Sequence, residues 1–144
     1  MALNIDDLKR QAESGSIVAK GMLGMCYLYG IDVPIDYGEA HRLLLAAVEQ
    51  GAARPATALA TMYARGLGVE RDVLKAICLY EQAAAAGEFM AKIELARIYR
   101  NGIGVNVDIW RACSWYEQAL EQRAAVHAQA ELCEAEEFVD KHRR

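Results

Sequence analysis

The 144-residue sequence has few helix breakers, with only two prolines, and no apolar run long enough to span a bilayer. Long helices are therefore unobstructed, and a membrane-spanning segment is not expected. Basic residues do not cluster, apart from Lys141, Arg143 and Arg144, and the formal charge is -4. The electrostatic footprint of a nucleic-acid binder is missing. Cys26, Cys78, Cys113 and Cys133 form no CxxC pair, and His41, His127 and His142 occur singly. This pattern signals neither a zinc site nor a dithiol redox centre; reduced thiols and no cofactor are expected. Asp6 and Asp7 stand where a secretory signal would need positive charge, so the expected location is the cytoplasm.

What the sequence has in abundance is small apolar residues in a register. Apolar residues make up 54% of the chain and charged residues 25%, a mixture suited to packed helices. A shift of 36 places aligns Tyr27 with Tyr63 and Tyr99, Gly30 with Gly66 and Gly102, Asp36 with Asp72 and Asp108, and Ala40 with Ala76 and Ala112. Leu23, Leu59 and Leu95 keep the same register. Self-similarity at this period marks a repeat architecture.

Within each repeat, apolar positions recur at three- and four-residue spacing before the glycine turn and again after the aspartate, which predicts two helices and no strand. Ser16 is placed to cap the first helix, Gly30 to end it, and Asp36 with Glu39 to form a capping box for the second. Pro55 falls in the first turn of the next helix, where a missing N–H costs nothing. Arg123 replaces the closing glycine of the third repeat, so its last helix is expected to end differently. The predicted organisation is one repeat domain over 1–144. It has a partial-repeat helix at 4–15, repeats at 16–51, 52–87 and 88–123, and a glutamate-rich, solvated capping helix within 124–144. Terminal units of arrays depart from the consensus in this manner.

The run Leu59-Ala60-Thr61-Met62-Tyr63-Ala64-Arg65-Gly66-Leu67-Gly68-Val69, its counterpart Leu95 to Val105, and the pair Trp115-Tyr116 resemble the Sel-one-like repeat family, relatives of the tetratricopeptide repeat. The first repeat departs at Asp32, where the family has its second glycine, and at Leu43-Leu44, where aromatics are usual. The resemblance implies an all-α, right-handed αα-hairpin solenoid of about eight helices that works as an adaptor, scaffold or regulatory binding protein, often bacterial. A dedicated inhibitor or immunity protein for one cognate partner is the first alternative. Some cysteine-rich members resemble β-lactam-binding or hydrolysing proteins in which a disulfide joins the two helices of each repeat. Here no repeat holds two cysteines, so that alternative loses its support and a non-enzymatic role is expected.

Candidate binding residues are those that vary between repeats while packing positions stay alike. One stripe on the first helices comprises Val18, Met22, Met25 and Tyr29, then Arg54, Ala58, Thr61 and Arg65, then Met90, Glu94, Arg97 and Asn101. It is expected to form a concave groove, apolar at its N-terminal end and more basic further on. Methionine and tyrosine are adaptable contact residues, and Arg65 and Arg97 are suited to acidic groups, so the expected partner is a protein or peptide with apolar and acidic residues. The competing assignment packs Met22 and Met25 against the N-terminal helix and leaves the arginines solvated. Trp110, whose equivalents are Gly38 and Leu74, is a candidate surface anchor. Self-association through poorly covered ends is also compatible with a short array.

Overall fold

The computed structural model describes residues 4–143. Among them are eight α-helices and no strand: α1 (Ile5–Glu13), α2 (Ile17–Tyr29), α3 (Tyr37–Glu49), α4 (Ala53–Arg65), α5 (Val73–Ala85), α6 (Phe89–Asn101), α7 (Ile109–Leu120) and α8 (Gln129–His142). The chain forms two compact units, Met1–Leu79 and Tyr80–Arg144.

The turn between the two helices of a repeat is built alike three times. Gly30, Gly66 and Gly102 close α2, α4 and α6 in the left-handed conformation, and their N–H groups donate to Cys26, Met62 and Ile98. Nine residues after each tyrosine the chain returns: the N–H groups of Asp36, Asp72 and Asp108 donate to the carbonyls of Tyr27, Tyr63 and Tyr99 at 2.9–3.0 Å. Each aspartate then caps the next helix, Oδ1 accepting from Glu39, Lys75 or Arg111 N–H at 3.0–3.1 Å. Ser16 caps α2 through Ala19 N–H, as its position predicts. The reciprocal half of the predicted capping box is absent. Asp36 N–H already serves Tyr27, and the Glu39 carboxylate pairs with Arg42 instead.

Tyr63 and Tyr99 are buried in equivalent niches, whereas Tyr27 is only partly buried and has Glu39 where the other two repeats place a cation. Tyr63 Oη lies 2.9 Å from His41 Nε2, with the Lys75 ammonium 4.6 Å from its ring centre. Tyr99 Oη accepts from Arg111 Nη1 at 3.2 Å, and the same guanidinium lies 5.3 Å from its ring centre. Lys75 and Arg111 are one repeat apart, so a cation over the tyrosine face recurs.

In the first unit, Leu8, Ala12, Ala19, Leu23 and Leu43 knit α1, α2 and α3 together. In the second, Phe89, Ile93, Ala96, Tyr116, Ala119, Leu132, Ala135 and Val139 join α6, α7 and α8. Without a glycine at position 123, α7 ends at Leu120 in a series of short turns through Ala125. Gln122 fixes this exit, donating to the Gly87 carbonyl at 2.7 Å and accepting from Lys92 at 2.8 Å.

Candidate functional site

Lys20 is the single charged side chain of α2. A helix apolar on every face is ordinarily covered on every face. In α2, Ala19 and Leu23 are buried in the core, but Val18 is 72% exposed and Met22 36%. Along this open face runs a trough of about 660 Å³. Its walls are Ile5 and Leu8 of α1; Ile17, Val18, Gly21, Met22, Met25 and Cys26 of α2; Ile31 and Asp32 of the following turn; and Ala52 to Pro55 at the start of α4.

Two close approaches shape the trough and its surroundings. A Cβ on Gly21 would stand 2.7 Å from Pro55 Cγ, so the glycine lets α4 start against α2 and brings Arg54 to the rim. A Cβ on Gly68 would collide with Tyr37, which makes that position a glycine for two reasons, contact and a φ of +69°. Asp32 holds the matching place in the first repeat and takes the same conformation, φ +60°. The turn is thus kept despite the substitution, since aspartate tolerates the left-handed region better than most side chains. Beside it, burial first and the Asp32 charge second raise the pKa of the Cys26 thiol, keeping it protonated and weakly nucleophilic.

Of the stripe read from the sequence, the structure brings Val18, Met22, Met25 and Arg54 together around this trough. Tyr29 is exposed at the end of α2 but does not line it, and Arg65 is exposed at the end of α4. Thr61 Oγ1 donates to the Thr57 carbonyl one turn back, and Ala58 is buried. In the second unit, Met90 is partly buried against the α6–α8 core. Asn101 accepts from Arg100 Nε at 3.4 Å. Trp110 is 61% exposed near the start of α7, while Trp115 packs against the core in the slot that Leu43 occupies in the first repeat.

Arg97 is engaged from within the chain. Its Nη1 donates to Glu94 Oε1 at 2.8 Å, its Nη2 to Glu134 Oε2 at 2.6 Å, and its Nε to both Glu134 oxygens. Arg100 Nη1 and Tyr116 Oη donate to Glu134 Oε1 at 2.9 and 2.6 Å. Glu134 belongs to the helix expected to be a solvated cap, yet its side chain is only 19% exposed. Burial opposes its ionisation, but the hydrogen bonds from Arg97 and Tyr116 and the charges of Arg97 and Arg100 outweigh it and hold the carboxyl below the usual range. The Tyr116 hydroxyl is pushed up, by burial first and then by donating to Glu134. The Glu134 bond also raises the Arg97 pKa. Glu94 and Arg97 are therefore parts of a clasp between α6 and α8, and the expectation that Arg97 would hold a partner's acid does not fit its surroundings.

Among the described residues no three His, Cys, Asp or Glu side chains converge in a way that could hold a metal ion, and no helix is long and apolar enough to cross a membrane.

The Sel1 repeat model matches residues 18–51, 56–88 and 90–123, three successive repeats in the register of the tyrosines. The chain belongs to the Sel1 repeat family. Two solved structures support the αα-hairpin repeat fold. A Sel1 repeat protein from Oxalobacter formigenes is 36% identical with a TM-score of 0.73, the match covering 95% of this chain and 97% of that one. The c5321 protective antigen of uropathogenic Escherichia coli, which displays an SLR fold, is 34% identical with a TM-score of 0.76 over 84% of this chain. This Sel1 repeat chain spans about a quarter of the antigen's length, 26%. No curated protein matches it. Such repeats generally mediate protein–protein interaction.

Proposed function

We propose that this Sel1 repeat protein is a non-enzymatic binding module, an adaptor or regulatory protein of the cytoplasm, that engages a partner protein through the trough along α2. The observation that carries the reading is the exposed apolar face of a helix with one charged residue, at Val18 and Met22 above all. Covering such a face on association releases ordered water and contributes roughly 25 cal/mol per Å² of apolar area. Rigid hairpins on either side hold the trough in shape, so little ordering on the receptor side opposes binding. Methionines at the centre suit a partner whose side chains are not closely matched in shape.

A photo-reactive residue at position 18, compared with one at Trp110, tests the reading in native lysate. The expected result is adducts from position 18 that disappear when Met22→Glu is added and are not reproduced from position 110. An adduct from position 18 indifferent to Met22→Glu, or none at all, would remove the support. A dedicated inhibitor would give one stoichiometric, salt-resistant adduct, whereas an adaptor would give several.

A further inference from the structure

The trough has two charges at its rim, and one of them stands where the later repeats have glycine. Asp32 adopts φ +60°, while Gly68 and Gly104 fill the same place in the later repeats at +69° and +68°. The turn itself has no need of a carboxylate, and glycine would adopt it without strain. A carboxylate held beside an open cleft, where the turn itself does not require one, points to recognition. Arg54 stands at the other end, next to Pro55 where that ring abuts Gly21. Neither Asp32 nor Arg54 forms an ion pair among the described residues. From Gly21 to the end of α2 at Tyr29 is roughly 12 Å, or just over two helical turns, and Asp32 follows in the turn beyond.

The floor between these charges is made of side chains on helices that satisfy their own backbone hydrogen bonds. An extended peptide laid over Met22 and Met25 would bring unpaired N–H and C=O groups onto an apolar surface, whereas a helix carries its bonds internally. We propose, on the reading that the trough is the interaction site, that its occupant is an amphipathic α-helix of a partner protein. Its apolar stripe lies on Val18, Met22 and Met25, an acidic residue faces Arg54, and a basic residue about two to three turns away faces Asp32.

Three synthetic helical peptides of about 20 residues test this. They share one apolar stripe and differ only in two flanking residues placed about seven to eleven apart, two to three turns on one face: Glu with Lys, Glu with Glu, or Lys with Lys. Binding to the full chain is read by fluorescence anisotropy. The wild type should prefer the Glu/Lys peptide by roughly 5–10-fold, Arg54→Glu the Lys/Lys peptide, and Asp32→Lys the Glu/Glu peptide, with the preferences shrinking in high salt. Should Asp32→Lys not fold, Asp32→Asn, which tolerates the turn, reads the same end as a loss of discrimination. A proline at the centre of the Glu/Lys stripe should abolish binding. Asp32→Gly should raise Tm by about 3 °C while losing selectivity for Lys.

An unchanged peptide order across the three proteins would overturn the charge assignment, and undiminished binding of the proline peptide would overturn the helical occupant. If none of the peptides binds while the position-18 adduct still depends on Met22, the helical occupant fails and the trough reading stands. If that dependence is also lost, the trough reading itself fails.

Discussion

α2 and α6 hold the same place in their repeats and meet opposite fates. Met22 and Met25 correspond to Glu94 and Arg97. In α2 these positions floor an open apolar trough, whereas in α6 they are tied to each other and to Glu134 of α8. Positions that vary between repeats are therefore not all free for recognition. One set varies because it faces an unoccupied surface, the other because a neighbouring helix has brought it a specific counter-charge.

Substitutions that separate packing from clasp and clasp from trough can break or sharpen this contrast. The largest effect is expected for Tyr116→Ala. This fully buried ring sits among α6, α7 and α8, and its loss should cost about 3–5 kcal/mol in urea denaturation. Next comes Glu134→Gln, which weakens the bonds to two arginines and Tyr116 and should cost about 1–3 kcal/mol. Because the folded-state pKa of Glu134 is depressed, its contribution is fully present above the unfolded value of about 4.3 and is lost as pH falls through the lower folded value. A urea midpoint series from neutral to acid pH should show a shallower acid-side loss in Glu134→Gln than in the wild type.

Smaller still is the contrast between two arginines of one stripe. Arg97→Ala leaves Glu134 half-paired and should cost about 1–2 kcal/mol. Arg54→Ala removes no ion pair and should stay within about 0.5 kcal/mol. The smallest change is predicted for Val18→Asp, likewise within about 0.5 kcal/mol in thermal unfolding, because Val18 is already open to water. A large loss at Val18 would mean that the trough is a covered surface.

Much of the fold is legible in the sequence because its determinants are local. A glycine at positive φ, an aspartate at a helix start and a tyrosine nine residues before it report on one another over short spans, three times. Asp32 looks like a break in that pattern but is not one, since its side chain tolerates the glycine conformation. The trough is legible in part: Val18, Met22 and Met25 stand out because α2 has almost no charge. Ile5, Ile31 and Asp32 were missed because they reach the trough from another helix and from a turn. The available signal was the carboxylate in a glycine slot. The clasp is not legible, because Glu134 meets Arg97 and Arg100 from 37 and 34 residues away, in a terminal helix outside the three aligned repeats. A glutamate-rich helix also reads by composition as solvated.

Hydroxyl-radical footprinting of the methionines, with the chain free and then saturated with the Glu/Lys helical peptide, tests the central claim most directly. In the free chain Met22 should oxidise faster than Met90 and far faster than the buried Met62. The peptide should protect Met22 and Met25 and leave Met90 unchanged. Protection of Met90, or oxidation of Met22 at the same rate with and without peptide, would contradict the assignment of recognition to α2.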